Sequence, residues 1–221
     1  DVFKAESFTQ STGSVLTQFG GAVTLTNAFD FTGQALTLNG SGNTVGGTMD
    51  VTNTGTFTLA DAGDLTVTGL FTQDGSGSIT LGGDLTGTAG IDFASVIALI
   101  GSDAVTLVTG GADGQDIVLG TDLTTSISGL GQALILDAGS DGDIRVAGGV
   151  GTDSQATGDI TVVGANQVTF DGAVYASGFT QAAGNVTTGQ TTFAGPLDLL
   201  GGLDFTGSGL TFGDATVVGA D

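Results

Sequence analysis

Large apolar residues recur two apart along this chain, with one small polar residue between them and a glycine, asparagine or aspartate soon after. Residues 197–212, LDLLGGLDFTGSGLTF, carry the pattern three times: Leu197 and Leu199, Leu203 and Phe205, Leu210 and Phe212. Asp198, Asp204 and Thr211 lie between the pairs, and Gly201, Gly202, Gly207 and Gly209 mark the breaks. Similar units start at Val23, Phe29, Leu36, Met49, Phe57, Leu65, Ile79 and Ile91, and again at Val105, Asp116, Leu134, Asp143, Ile160 and Val168. A two-residue apolar period is that of a strand with one buried face. Thr, Val, Ile and Phe suit such a surface, and Gly, Asn and Asp are expected to supply the positive φ of the turns. No 3.6-residue period is sustained anywhere.

Strands this short and this closely spaced leave too little chain for long hairpins, whereas they suit a coil in which each turn holds three strands and three bends. The expected fold is all-β: a parallel β-helix, or β-solenoid, with rungs of about 19–22 residues and roughly ten rungs in a single array over 1–221. A sandwich or barrel would need longer strands and fewer glycines. Burying two apolar side chains per unit yields roughly 3–6 kcal/mol, while ordering six residues costs about 6–12 kcal/mol. One rung alone therefore cannot fold, and stacking on neighbours must supply the rest.

A longer period overlies the short one. FTQ occurs at Phe8, Phe71 and Phe179, followed by DF at Asp30, Asp92 and Asp204, and GDATVVGAD from Gly213 echoes GDITVVGAN from Gly158. The array is accordingly expected to be a segment of a longer repetitive protein or a subunit that stacks end to end on copies of itself.

Charge narrows the partners. The 221 residues hold 23 acidic side chains against Lys4 and Arg145, a net charge of −21. Nucleic acid and anionic membrane surfaces are therefore excluded as partners, because both need clustered cations. Mean hydropathy is nonetheless positive, at +0.36, which separates the chain from disordered acidic sequences. No apolar run approaches the roughly 18 residues of a membrane helix, so no membrane insertion is expected. Glu6 is the only glutamate; the remaining acids are aspartates, which favour turns over helices.

Units such as GADGQDIVLGTDL, ALILDAGSDGDIRVAGGVG and GDITVVGANQVTFDGAV resemble the repeats of very large bacterial surface proteins of the filamentous-haemagglutinin and autotransporter-adhesin type. The resemblance implies a right-handed parallel β-helix, export to the bacterial cell surface, and work as a stalk, fibre, sheath or adhesin.

With no His and no Cys, the usual nucleophile–base pairs and zinc sites are ruled out, and no catalytic activity is expected. The alternative is a polysaccharide-binding or polysaccharide-cleaving β-helix, for which Asp141 and Asp143, with Arg145 two residues on, are the candidate acids. GGADGQD (residues 110–116) and DAGSDGD (residues 137–143) alternate glycines with aspartates, making Asp113, Asp116, Asp137, Asp141 and Asp143 candidate calcium ligands. Set against that is the plainer expectation that these are solvated turn formers. Outward threonines at Thr24, Thr54 and Thr66 raise ice binding, which needs a ladder in register; the varying unit lengths are expected to spoil it. Asn39 and Asn185 head formal glycosylation sequons.

Overall fold

The computed structural model describes residues 1–13, 15–181, 189–214 and 216–219, with backbone alone for 216–218. The expected alternation is visible at the first regular strand: in Val23–Leu25 and Phe29–Gly33, Val23, Leu25, Phe29 and Phe31 are buried while Thr24 and Asp30 face outward. Ile79 and Leu81 flank Thr80 in the same way, as do Ile117 and Leu119 around Val118. Strands of two to five residues follow one another along the whole chain, and among the described residues there is no helix.

Each strand pairs, in parallel, with the third strand after it. Phe3–Ala5 pairs with Val23–Leu25, Phe8–Gln10 with Phe29–Gly33, and Leu16–Phe19 with Ala35–Leu38. The result is three parallel sheets of ten strands each, one strand per sheet in every rung. This is a β-solenoid, with a stack about 45 Å long at the usual interstrand spacing. The inner faces of the sheets form one apolar core running from Val23 to Leu199. Phe57, Phe71 and Phe93 meet edge to face within it, at centroid distances of 5.6 and 5.1 Å. Phe170 and Phe193 stack face to face at 5.1 Å.

The rung length departs from expectation in the middle of the chain. Phe3 lies opposite Val23, a step of 20, and Thr44 opposite Thr66, a step of 22. Leu107 lies opposite Leu136, a step of 29, and Ile97 opposite Ile127, a step of 30. The strands keep their register, and the added residues leave the rung as corner loops such as 110–116 and 151–159. Only the ladder and the core constrain length, so a corner that reaches into solvent is free to grow.

Turn chemistry also differs from expectation. Among the described residues every positive φ belongs to glycine, with no Asn or Asp in that region. Most corner glycines serve a different purpose, close stacking of successive corners. A Cβ on Gly77 would lie 1.7 Å from the carbonyl oxygen of Gly55, and one on Gly172 2.5 Å from the carbonyl carbon of Gly148.

The FTQ and DF repeats have a structural meaning. FTQ strands pair with the DF strand of the next rung, Thr opposite Asp: Thr9 with Asp30, Thr72 with Asp92, Thr180 with Asp204. The glutamine ends inward. Gln73 is fully buried, and its Nε2 donates to Asn53 Oδ1 at 2.5 Å and to the Gly75 carbonyl at 3.1 Å. Gln10 and Gln181 accept instead, from the hydroxyls of Thr17 and Thr191. Asn43, also buried, accepts from the Val23 N–H at 3.0 Å and donates to the carbonyls of Gly40 at 2.5 Å and Gly63 at 3.0 Å. Buried amides thus satisfy corner backbone groups that have no ladder partner. GDITVVGAN and GDATVVGAD, in contrast, contribute to different sheets, the first and the third.

Candidate functional site

The two Asp-Gly stretches occupy the same corner of adjacent rungs. Residues 110–116 link Val105–Thr109 to Ile117–Leu119, and 138–143 link Leu134–Asp137 to Ile144–Val146. The loops touch: a Cβ on Gly139 would lie 2.3 Å from Gly111 Cα, and the Asp141 N–H donates to the Gly111 carbonyl at 3.3 Å.

Within this corner the five predicted aspartates divide by role. Asp116 Oδ1 accepts the backbone N–H of Asp143 at 2.8 Å, and Asp143 Oδ1 accepts the N–H of Gln167 and the Nδ2 of Asn166, each at 3.0 Å. Asp137 Oδ1 accepts the N–H of Gly139 at 3.0 Å. Asp113 and Asp141 are exposed on the loops. Among the described residues no three His, Cys, Asp or Glu side chains converge in a way that could hold a metal ion, so the five do not form one cage.

The Asp116–Asp143 arrangement is a general device of this fold. In the first sheet Asp64 Oδ1 accepts the N–H of Asp84 at 3.0 Å, and Asp84 Oδ1 accepts the N–H of Thr106 at 2.8 Å. Each of these four aspartates sits just before a strand and caps a backbone donor of the following rung, a charge-assisted bond stronger than a neutral one. Solvated turn former therefore describes Asp113 and Asp141, whereas Asp64, Asp84, Asp116 and Asp143 tie rungs together. The signal was present in the sequence as Asp immediately before an apolar pair, DLTV, DLTG, DIVL and DIRV.

Asp116, Asp143 and Arg145 also line a shallow recess of about 270 Å³ on the outer face of the second sheet, with Val118, Gln167 and Thr169. Arg145 stands in register between Val118 and Thr169. Its Nη2 and Nε both donate to Asp171 Oδ2, at 2.8 and 2.9 Å, and its side chain stays half exposed. The strand begins at Ile144, so Asp143 sits at the corner rather than on the strand face, and Asp141 does not line the recess. Arg145, Gln167 and Thr169 could hydrogen-bond sugar hydroxyls. No aromatic ring lines the recess, and both of its carboxylates already accept backbone N–H groups.

On the same sheet Asp30 and Asp50 face outward on adjacent strands, directly opposite each other. Slight burial raises the Asp50 carboxyl above its ordinary pKa although the side chain is largely exposed, the neighbouring charges of Asp30 and Asp74 add to the rise, and the Thr72 hydroxyl partly offsets it. Burial alone raises Asp92. Asp122 is displaced the other way, held below its ordinary pKa by the Thr124 hydroxyl and backbone N–H.

The threonines are better ordered than their spacing suggests. Thr24, Thr44, Thr66 and Thr86 stand opposite one another on successive strands of the first sheet, because corners rather than strands absorb the variation in length. The ladder ends at Val108. Asn39 is half-buried at a corner where its N–H donates to the Phe19 carbonyl, and Asn185 lies outside the described residues. No protein-family model, no curated protein and no solved structure matches the chain.

Proposed function

We propose that this chain is a structural element of an extracellular bacterial fibre, stalk, sheath or large adhesin, acting as a stiff acidic rod. The observation that carries the reading is the largely apolar core running from Val23 to Leu199, with strands paired in parallel through rungs of 18 to 30 residues. Added length leaves the rung at its corners without breaking the core. Stiffness and solubility then have separate origins. A ladder of backbone hydrogen bonds and a dry core resist bending, while 23 acids against two cations keep neighbouring rods apart.

Antibodies raised against the purified chain test the reading on intact bacteria that produce it. Gold label along surface filaments or stalks is the expected result, and label confined to the cytoplasm would overturn it. A second reading, polysaccharide binding, is favoured by the recess around Arg145. Retention of the purified chain by an acidic or neutral polysaccharide column, abolished in Arg145→Ala, would establish it in place of a purely mechanical function.

A further inference from the structure

The outer face of the first sheet has no part in the rod reading. Thr24, Thr44, Thr66 and Thr86 stand opposite one another there, although the steps between them are 20, 22 and 20 residues. The ladder also runs one residue beyond the strands: the N–H groups of Gly46, Thr68 and Thr88 donate to the carbonyls of Leu25, Val45 and Val67 at 2.8 to 2.9 Å. Thr26, Gly46, Thr68 and Thr88 therefore form a second rank, two residues on from the first and on the same side. Seven of these eight positions are threonine. The eighth is closed to a side chain, because a Cβ on Gly46 would lie 2.3 Å from the Thr26 carbonyl oxygen. Thr26, Thr44, Thr66, Thr68 and Thr88 are exposed, and Thr24 and Thr86 are half-buried. Among the described residues none of the seven hydroxyls has a protein partner, whereas those of Thr52, Thr109 and Thr125 do. The nearest acids, Asp64 and Asp84, each turn a carboxylate oxygen to the backbone of the next rung.

We propose that this two-rank threonine face binds ice. The rungs set its hydroxyls about 4.8 Å apart along the stack, and the two ranks lie about 6.7 Å apart across it, spacings comparable to the oxygen repeats on a face of ice. Branching at Cβ holds each threonine to few χ1 rotamers, so the array is fixed before contact and little freedom is lost on binding. The methyl groups order the first layer of water, and the hydroxyls anchor it. One such hydroxyl is worth about 1 kcal/mol net. A crystal presents oxygens to all seven at once, so after the first contact the rest add without further cost in translational freedom. The other two faces lack the match. Thr37, Thr58 and Thr80 make a single rank on the third sheet, with Asn39, Ala60 and Gly82 two residues on. The second sheet presents Asp30, Asp50, Thr72 and Asp92 in the same span.

The test is nanolitre osmometry on single ice crystals in solutions of the purified 221-residue chain, together with ice recrystallisation assays. The wild-type chain is expected to hold the freezing point below the melting point, to shape the crystal into facets and to stop recrystallisation. Thr44→Tyr and Thr66→Tyr each raise a ring from the middle of the face at a position where tyrosine suits a strand; both should lose the freezing gap and the recrystallisation block while keeping the β-sheet circular dichroism spectrum. Thr58→Tyr, which places the same ring on the third sheet, should behave as wild type. A wild-type chain that freezes at its melting point, as an inert protein at equal concentration does, would overturn the proposal and leave the rod reading standing. So would activity that survives both Thr44→Tyr and Thr66→Tyr, or that is lost in Thr58→Tyr with the sheet spectrum intact, since either would place the ice contact on another face.

Discussion

Replacing Asp50 with asparagine should stabilise this protein. Asp50 and Asp30 face each other across one strand spacing of about 4.8 Å. At that distance two unit charges repel by about 0.9 kcal/mol at the dielectric of water and by about 3.5 kcal/mol at an effective dielectric of 20. Asp50 is exposed, so the lower figure governs. The substituted amide would keep an oxygen to accept from the Thr72 hydroxyl while shedding the charge, giving a gain of about 1 kcal/mol near neutral pH at low salt. The sign with pH follows from the raised Asp50 pKa. Between its unfolded and folded values the folded chain holds the extra proton, so stability falls as pH rises through the folded pKa and recovers as pH falls. The stabilisation by Asp50→Asn should therefore vanish below about pH 3, where Asp50 is protonated in the folded and the unfolded chain alike. Urea is the denaturant of choice, because guanidinium would screen the pair. The result expected is a higher urea midpoint with an unchanged slope at neutral pH, shrinking as sodium chloride approaches about 1 M. An unchanged or lower midpoint at neutral pH, or a gain that persists at both acid pH and high salt, would refute the argument.

Three substitutions address the packing and one titration the aspartates. Phe71→Ala removes a fully buried ring between Phe57 and Phe93 and should cost about 3–5 kcal/mol, with hydrogen-exchange protection lost first in the strands 49–53 and 91–93 beside it. Gly77→Ala places a methyl 1.7 Å from the Gly55 carbonyl oxygen, so the melting temperature should fall by an amount equivalent to more than about 1 kcal/mol. Asn43→Leu keeps the branched outline of the side chain but strands the Val23 N–H and the Gly40 and Gly63 carbonyls; chemical denaturation should show a loss above about 2 kcal/mol. Calcium should raise the melting temperature no more than magnesium at equal ionic strength, since Asp116 and Asp143 already hold backbone donors; a calcium-specific rise abolished in Asp116→Asn would show a cation at that corner.

The strands were legible because burial and alternation are one signal. Units read from Val23, Phe29, Met49, Phe57, Leu65, Ile79, Ile91, Val105, Leu134 and Ile160 begin where strands begin. Corner length left no such trace. Nothing in the period of Ile97, Val105 and Ile117 distinguishes a loop that turns tightly from one that reaches into solvent, so the rungs of 26 to 30 residues were not foreseen. At the candidate site the residue types were right and their grouping was not. Asp116, Asp143 and Arg145 come together because their strands are in register, whereas Asp113 and Asp141 stay on the loops. Hydrogen bonding across rungs decides which aspartates tie the stack, and it depends on which residues lie one rung apart, a relation set by corner lengths. The buried amide of Asn43 was hidden for the same reason, whereas the recurring FTQ marked Gln73 together with Gln10 and Gln181.

The central claim, that the protein is a rod built from rungs held by their neighbours, is tested most directly by pulling it from both ends in a single-molecule force experiment. Rungs of 18 to 30 residues should peel away one after another, each releasing roughly 60–100 Å of chain. Loss of the whole chain in one all-or-none rupture would contradict it.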